Sequence, residues 1–138
     1  MKPAARHRAR RKAVQALYQM LLNEDPAEMV IDQHFETMDR EKVDANYFNQ
    51  LVLGVSKSQT ALDELFLPHT GRALKSITPI ELCVLRLACF ELTEMKDVPF
   101  KVVINEALEL TKCFGTSDGF KFVNGVLDKT AKDLDIKH

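Results

Sequence analysis

The sequence has no tryptophan, only five glycines and five prolines, and almost no runs in which valine or isoleucine alternates with polar residues. So few breakers leave long helices easy to place. The missing period-two pattern argues against β-sheets. Phosphate-binding and nucleophile motifs are absent as well: there is no P-loop, no G-x-G-x-x-G and no G-x-S-x-G. The four histidines, His7, His34, His69 and His138, never stand three or four residues apart, so they make no metal site on one helix face. Glu106 and Glu109 share a helix side, but as a solvated acidic face and not as a catalytic pair. No apolar segment follows the basic N-terminus, which excludes a secretory signal and points to a cytoplasmic protein. The three cysteines, Cys83, Cys89 and Cys113, are an odd number without C-x-x-C spacing and read as free buried thiols in a reducing compartment. These absences describe a binding protein with no enzymatic activity, no cofactor and no metal.

At 138 residues, 46% hydrophobic and 28% charged, the chain has the size and composition of one soluble domain. Its most apolar stretch, Pro79 to Leu92, is interrupted by Glu81, Arg86 and Glu91, which point in three different directions at about 100° per residue. Such a helix belongs inside, wrapped by the rest of the chain, and is too short and too charged to cross a membrane. Arg86 lies mid-helix and needs an acidic partner within the protein, because an unpaired buried guanidinium is too costly. Thr78 caps this helix and Pro79 takes its first position.

Around it, the spacing predicts a helix from Ala4 to Leu22 with Ala9, Ala13, Ala16, Leu17, Met20 and Leu21 inward. A second, from Ala27 to Met38, buries Val30, Ile31, His34, Phe35 and Met38. Asp44 caps a third that reaches about Ser56, and Lys57 to Leu67 continues as helix until Pro68. His69 to Ile77, with Gly71, reads as the linker between two lobes, about 1–68 and about 69–138. Phe100 to Phe114 ends at Gly115, a position that suits a C-terminal helix glycine. Thr116 or Ser117 caps the last helix, which runs to about Leu134 with Phe120, Val123, Val126, Leu127, Ala131 and Leu134 inward. The expected fold is all-α, with about seven helices in two packed bundles.

The net charge of −1 conceals a strong asymmetry. Residues 1–12 carry six basic groups and no acid, while the remaining 126 residues hold 13 basic and 20 acidic groups. A cationic arm on an acidic body points to a polyanion. Lys2, Arg6 and Arg10 recur every four residues, so they line one helix face and can track phosphates. A second anion site is expected in Lys112 to Asn124, where a Gly-Thr-Ser-Asp-Gly loop leads into a new helix with Lys121 one turn in. Phe114, Phe120 and Phe122 there are either core residues or rings on which a base can stack.

Longer motifs carry a more specific signal. Val98-Pro99-Phe100-Lys101-Val102-Val103-Ile104-Asn105-Glu106-Ala107, then Phe114-Gly115, then Lys121-Phe122-Val123-Asn124-Gly125-Val126-Leu127-Asp128 resembles the signature of the NusB transcription antitermination family. Ala4-Ala5-Arg6 through Arg10 with Ala13-Val14-Gln15-Ala16-Leu17-Tyr18, and Val84-Leu85-Arg86 with Glu91-Leu92, resemble it too. The resemblance spans the whole chain. It implies two helical bundles that bind the boxA element of nascent rRNA transcripts as a heterodimer with ribosomal protein NusE. It also implies that, with further Nus factors, the complex keeps RNA polymerase elongating. By the same resemblance the RNA site comprises Lys2, Arg6, His7, Arg8 and Arg10 with Phe114, Asp118, Lys121 and Asn124, and the NusE surface includes Tyr18 and Glu81. His7 stands where close relatives carry arginine, which weakens one phosphate contact at neutral pH. Asp118 is at odds with a phosphate site; it either accepts a hydrogen bond from a base edge or tempers affinity. Two other readings compete. The first is the RNA-binding module of an rRNA cytosine methyltransferase, disfavoured because neither a methyl-donor fold nor a catalytic cysteine motif follows. The second is a pure protein adaptor, for which RNA binding would show little salt dependence.

Overall fold

Among the described residues, regular structure consists of seven α-helices and two short 3-10 turns, with no strand. The computed structural model describes residues 2–115 and 118–136. The cap expected at Thr116 or Ser117, and His138, lie outside the described residues.

Two compact units divide the chain, with the boundary between Lys57 and Ser58. The first contains α1 (Pro3–Asn23), α2 (Ala27–Thr37) and α3 (Ala45–Lys57), each packed on the other two. On α1 the inward stripe is Ala5, Ala9, Ala13, Val14, Ala16 and Leu17, small enough for close helix approach. Met20 and Leu21, expected inside, are only half-buried at the end of the stripe. From α2 only Val30 and Ile31 are fully buried, while His34 and Phe35 lie half-buried against the ring of Phe48. Asp44 caps α3 as expected, its Oδ1 accepting from the Tyr47 N–H at 3.1 Å. The Asp44 N–H donates to the Ala5 carbonyl at 3.1 Å, which fastens the first turn of α1 to the start of α3.

The second unit contains α4 (Gln59–Phe66), α5 (Pro79–Glu94), α6 (Phe100–Phe114) and α7 (Gly119–Asp133), with 3-10 turns at Leu67–His69 and Leu74–Ser76. Helix α4 therefore belongs with the later helices, and the boundary falls before it, not at the His69 linker. The reason is a buried ion pair. Arg86 of α5 donates from Nε to Asp63 Oδ1 at 2.8 Å and from a terminal nitrogen to Oδ2 at 2.9 Å. This supplies the acidic partner that Arg86 was expected to need, and the partner lies on α4. Every residue of α5 from Glu81 to Leu92 is buried, with α4, α6 and α7 packed around it. Thr78 caps α5, its hydroxyl accepting from the Glu81 N–H. Buried Thr111 and Thr130 satisfy their hydroxyls by donating to the Ala107 and Val126 carbonyls, each at 2.8 Å.

Gly115 follows α6 in extended backbone (φ −109°), not in the left-handed conformation usual for such a glycine. What demands glycine is space: a Cβ here would stand 2.8 Å from the Thr111 carbonyl oxygen. Cys83 and Cys89 are buried on α5, whereas Cys113, off the inward stripe of α6, is exposed. Burial pushes the Cys83 thiol up to about 12 despite the opposing pull of the Arg86 charge, and burial with the Asp63 carboxylate raises Cys89 further. Native protein at about pH 8 is therefore expected to react with an aromatic disulfide reagent at Cys113 alone, and at all three thiols once unfolded. Rapid titration of more than one thiol in the native state would contradict this arrangement.

Candidate nucleic-acid interface

Because α1 starts at Pro3, the basic tract is helical from its first turn and its charges take fixed directions. Lys2, Arg8 and Arg11 are exposed; Arg6, His7 and Lys12 are half-buried. Arg10 is not part of the exposed set. It is only 3% exposed, with its guanidinium 5.4 Å from the centroid of the buried Tyr47 ring. Arg6 lies over the same ring at 4.3 Å, with its Nε 3.9 Å from Asp44 Oδ2. The four-residue repeat Lys2–Arg6–Arg10 thus turns progressively inward. It is the face by which the arm is held on α3 through cation–π contacts, not a continuous phosphate track.

The outward charge sits about half a turn around the helix. Arg8, Arg11, Lys12 and Gln15, with Val43, line a cavity of about 250 Å³. Arg8 is positioned there by its donation to the Lys42 carbonyl at 3.2 Å. Three cations converge on one concave spot with an amide donor beside them, a donor set that suits a phosphate or another multivalent anion. Arg11, Lys12 and Gln15 are not among the site residues that the resemblance implies. The signal was present in their spacing, since residues 8, 11, 12 and 15 follow the i, i+3, i+4, i+7 rule of one helix face.

The remaining candidate RNA-binding residues lie on the second unit. Asp118, Lys121 and Asn124 are exposed at the start of α7, and Phe114 is half-buried at the end of α6. Asp118 occupies the N-cap position without making a side-chain cap hydrogen bond. Of the other two rings, Phe120 has the Lys112 ammonium 5.0 Å from its centroid, and Phe122 is covered by the Arg72 guanidinium at 4.0 Å. Tyr18 is half-buried on α1. Glu81 is not at a rim: it is 7% exposed, with Oε1 3.8 Å from an Arg72 nitrogen and within hydrogen-bonding distance of no donor among the described residues. No group of three His, Cys, Asp or Glu side chains among the described residues is placed to hold a metal ion. No described helix is long and apolar enough to cross a membrane.

Residues 7–132 match the sequence model of the NusB family. The chain belongs to the NusB family. It is 48% identical over 129 residues to the transcription antitermination protein NusB of Shewanella sp. (strain MR-4), covering 94% of this chain and 96% of that protein. Over 137 residues it is 48% identical to the NusB of Tolumonas auensis, with 99% of each chain covered. A solved structure of T. maritima NusB superposes with a TM-score of 0.84 at 31% identity, covering 96% of this chain and 94% of that one. The all-helical fold is therefore that of the NusB family, whose members are transcription antitermination factors and not enzymes.

Proposed function

We propose that this chain binds boxA-type single-stranded RNA of nascent rRNA transcripts together with ribosomal protein NusE. In the cytoplasm, with other Nus factors, that complex supports processive elongation by RNA polymerase. The observation that carries the RNA reading is the cluster of outward cations on α1 around the Arg8–Arg11–Lys12 cavity. On the first unit we assign RNA contacts to Lys2, Arg6, His7 and Arg8, adding Arg11 and Lys12, while Arg10 holds the arm in place from inside. On the second unit we assign them to Phe114, Asp118, Lys121 and Asn124. Tyr18 is proposed as a NusE contact, whereas Glu81, being buried, presents little surface to a partner. The test is a gel shift with boxA RNA and a scrambled RNA, with and without NusE. Preference for boxA, increased by NusE, is expected; equal binding of both RNAs under all conditions would refute the sequence-specific reading. A salt-independent affinity with NusE binding intact would make the chain a protein adaptor.

Asp118 provides a sharper check. An exposed carboxylate near phosphates opposes binding, and it makes no side-chain cap hydrogen bond that its removal would break. Asparagine is an equally good N-cap residue. Asp118→Asn is expected to tighten RNA binding several-fold at fixed salt without lowering Tm. An unchanged or larger Kd would mean that the carboxylate does not oppose the RNA.

A further inference from the structure

The buried Glu81 oxygen and the half-covered Phe122 ring share one neighbour, Arg72. Its guanidinium carbon lies 4.0 Å from the centroid of Phe122, one of its terminal nitrogens is 3.8 Å from Glu81 Oε1, and its side chain is 44% exposed. The loop that carries it is well determined by local chemistry. Gly71 turns the chain with φ +65°, a conformation that side chains other than glycine rarely adopt. The Thr70 hydroxyl accepts from the Arg72 N–H at 3.0 Å and reaches the Leu67 carbonyl at 2.9 Å. Arg72 thus has a ring against its guanidinium, a carboxylate nearby and a threonine holding its backbone, while 44% of its side chain remains open to solvent.

We propose that Arg72 is a stacking platform for a nucleobase of single-stranded RNA, an inference that rests on the RNA-binding reading above. A guanidinium is planar and weakly hydrated, so it stacks on flat π-systems, and unstacked RNA bases are commonly held on arginine planes or aromatic rings. The nearby Glu81 carboxylate largely balances the Arg72 charge, and that decides between base and phosphate. A neutralised guanidinium attracts phosphate weakly but keeps its flat surface. Among the rings at this end of the unit, Phe122 then acts through Arg72, as the layer beneath it, and is not itself the outer surface.

The test uses single-stranded boxA RNA carrying 2-aminopurine at one position at a time, titrated with the full chain and with R72K, R72A and R8A. Stacking on Arg72 predicts that one position is quenched by the native protein and that R72K and R72A lose this quench. Both variants bind about tenfold more weakly, the effect of one stacked base, with the slope of log K against log salt unchanged. R8A is expected to do the opposite: its slope is shallower by about 0.7 and its quench is intact. A phosphate contact would make R72A shallower in slope and leave R72K native-like; that result overturns the proposal. So does native affinity and quenching in both Arg72 variants while R8A still weakens binding. Failure of the native chain to bind RNA at any salt concentration would overturn the RNA reading itself, and this inference with it.

Discussion

Asp63→Ala is expected to lower the free energy of unfolding by about 3–5 kcal/mol, the usual consequence of leaving one partner of a buried ion pair alone. Arg86 is 8% exposed and donates twice to the Asp63 carboxylate, at 2.8 and 2.9 Å. Removing the carboxylate leaves a buried guanidinium without its counter-charge, and water cannot replace it at that depth. Most of the loss should be specific to the unpaired charge. In the double variant Asp63→Leu/Arg86→Met, both charges are replaced by apolar groups of similar size, so stability should return to within about 1–2 kcal/mol of the native chain. Urea unfolding of the two singles and the double decides this. A single-variant loss below about 1 kcal/mol, or a double no more stable than the singles, would show that the pair does not join α4 to α5 in the way its geometry indicates.

The second large effect concerns RNA. The triple variant Arg8→Ala/Arg11→Ala/Lys12→Ala is expected to weaken RNA binding about a hundredfold at low salt, as three charge-assisted contacts are lost. The slope of log K against log salt should become shallower by about two units, near 0.7 for each lost phosphate contact on a single strand. Fluorescence anisotropy titrations between about 50 and 300 mM salt read both quantities. The control is removal of cations elsewhere, for example Lys129→Ala/Lys132→Ala on α7, where Lys132 already pairs with Asp128 at 3.1 Å. An equal loss from that control would mean that RNA responds to net charge and not to the α1 cavity.

Much of the architecture can be read from the chain's periodicities. The Phe100–Phe114 helix has the ends that its turn residues indicate, and the cap residues of α3 and α5 act as expected. Arg86 could be recognised as a paired charge because a long apolar run tolerates no other kind; that the partner is Asp63, 23 residues earlier, is a long-range fact that local spacing does not hold. The same limit explains the lobe boundary. Gly71 is a true turn, but a turn does not divide a fold when the helix before it is fastened to the helix after it. Arg10 escaped because basic residues are assumed to face water, whereas a tyrosine ring on α3 provides a surface on which a guanidinium can be buried. Glu81 escaped for the converse reason: first-turn acids are ordinarily exposed, and this one is buried with Arg72 of the preceding loop 3.8 Å away. The arm's chemistry was visible in its composition, but which of its six cations point outward depended on where α3 packs.

The attachment of α1 has an entropic consequence. The Ala5–Asp44 hydrogen bond and the two guanidinium contacts on Tyr47 hold the basic segment as finished helix before any ligand arrives. Disordered basic tails order when they bind, at a cost of about 2–5 kcal/mol of gross interaction energy. Here that ordering is already complete on the protein side. In the proposed RNA complex, the conformational freedom lost on association then belongs mostly to the flexible single strand, which must conform to a charge pattern whose spacing the protein has set in advance.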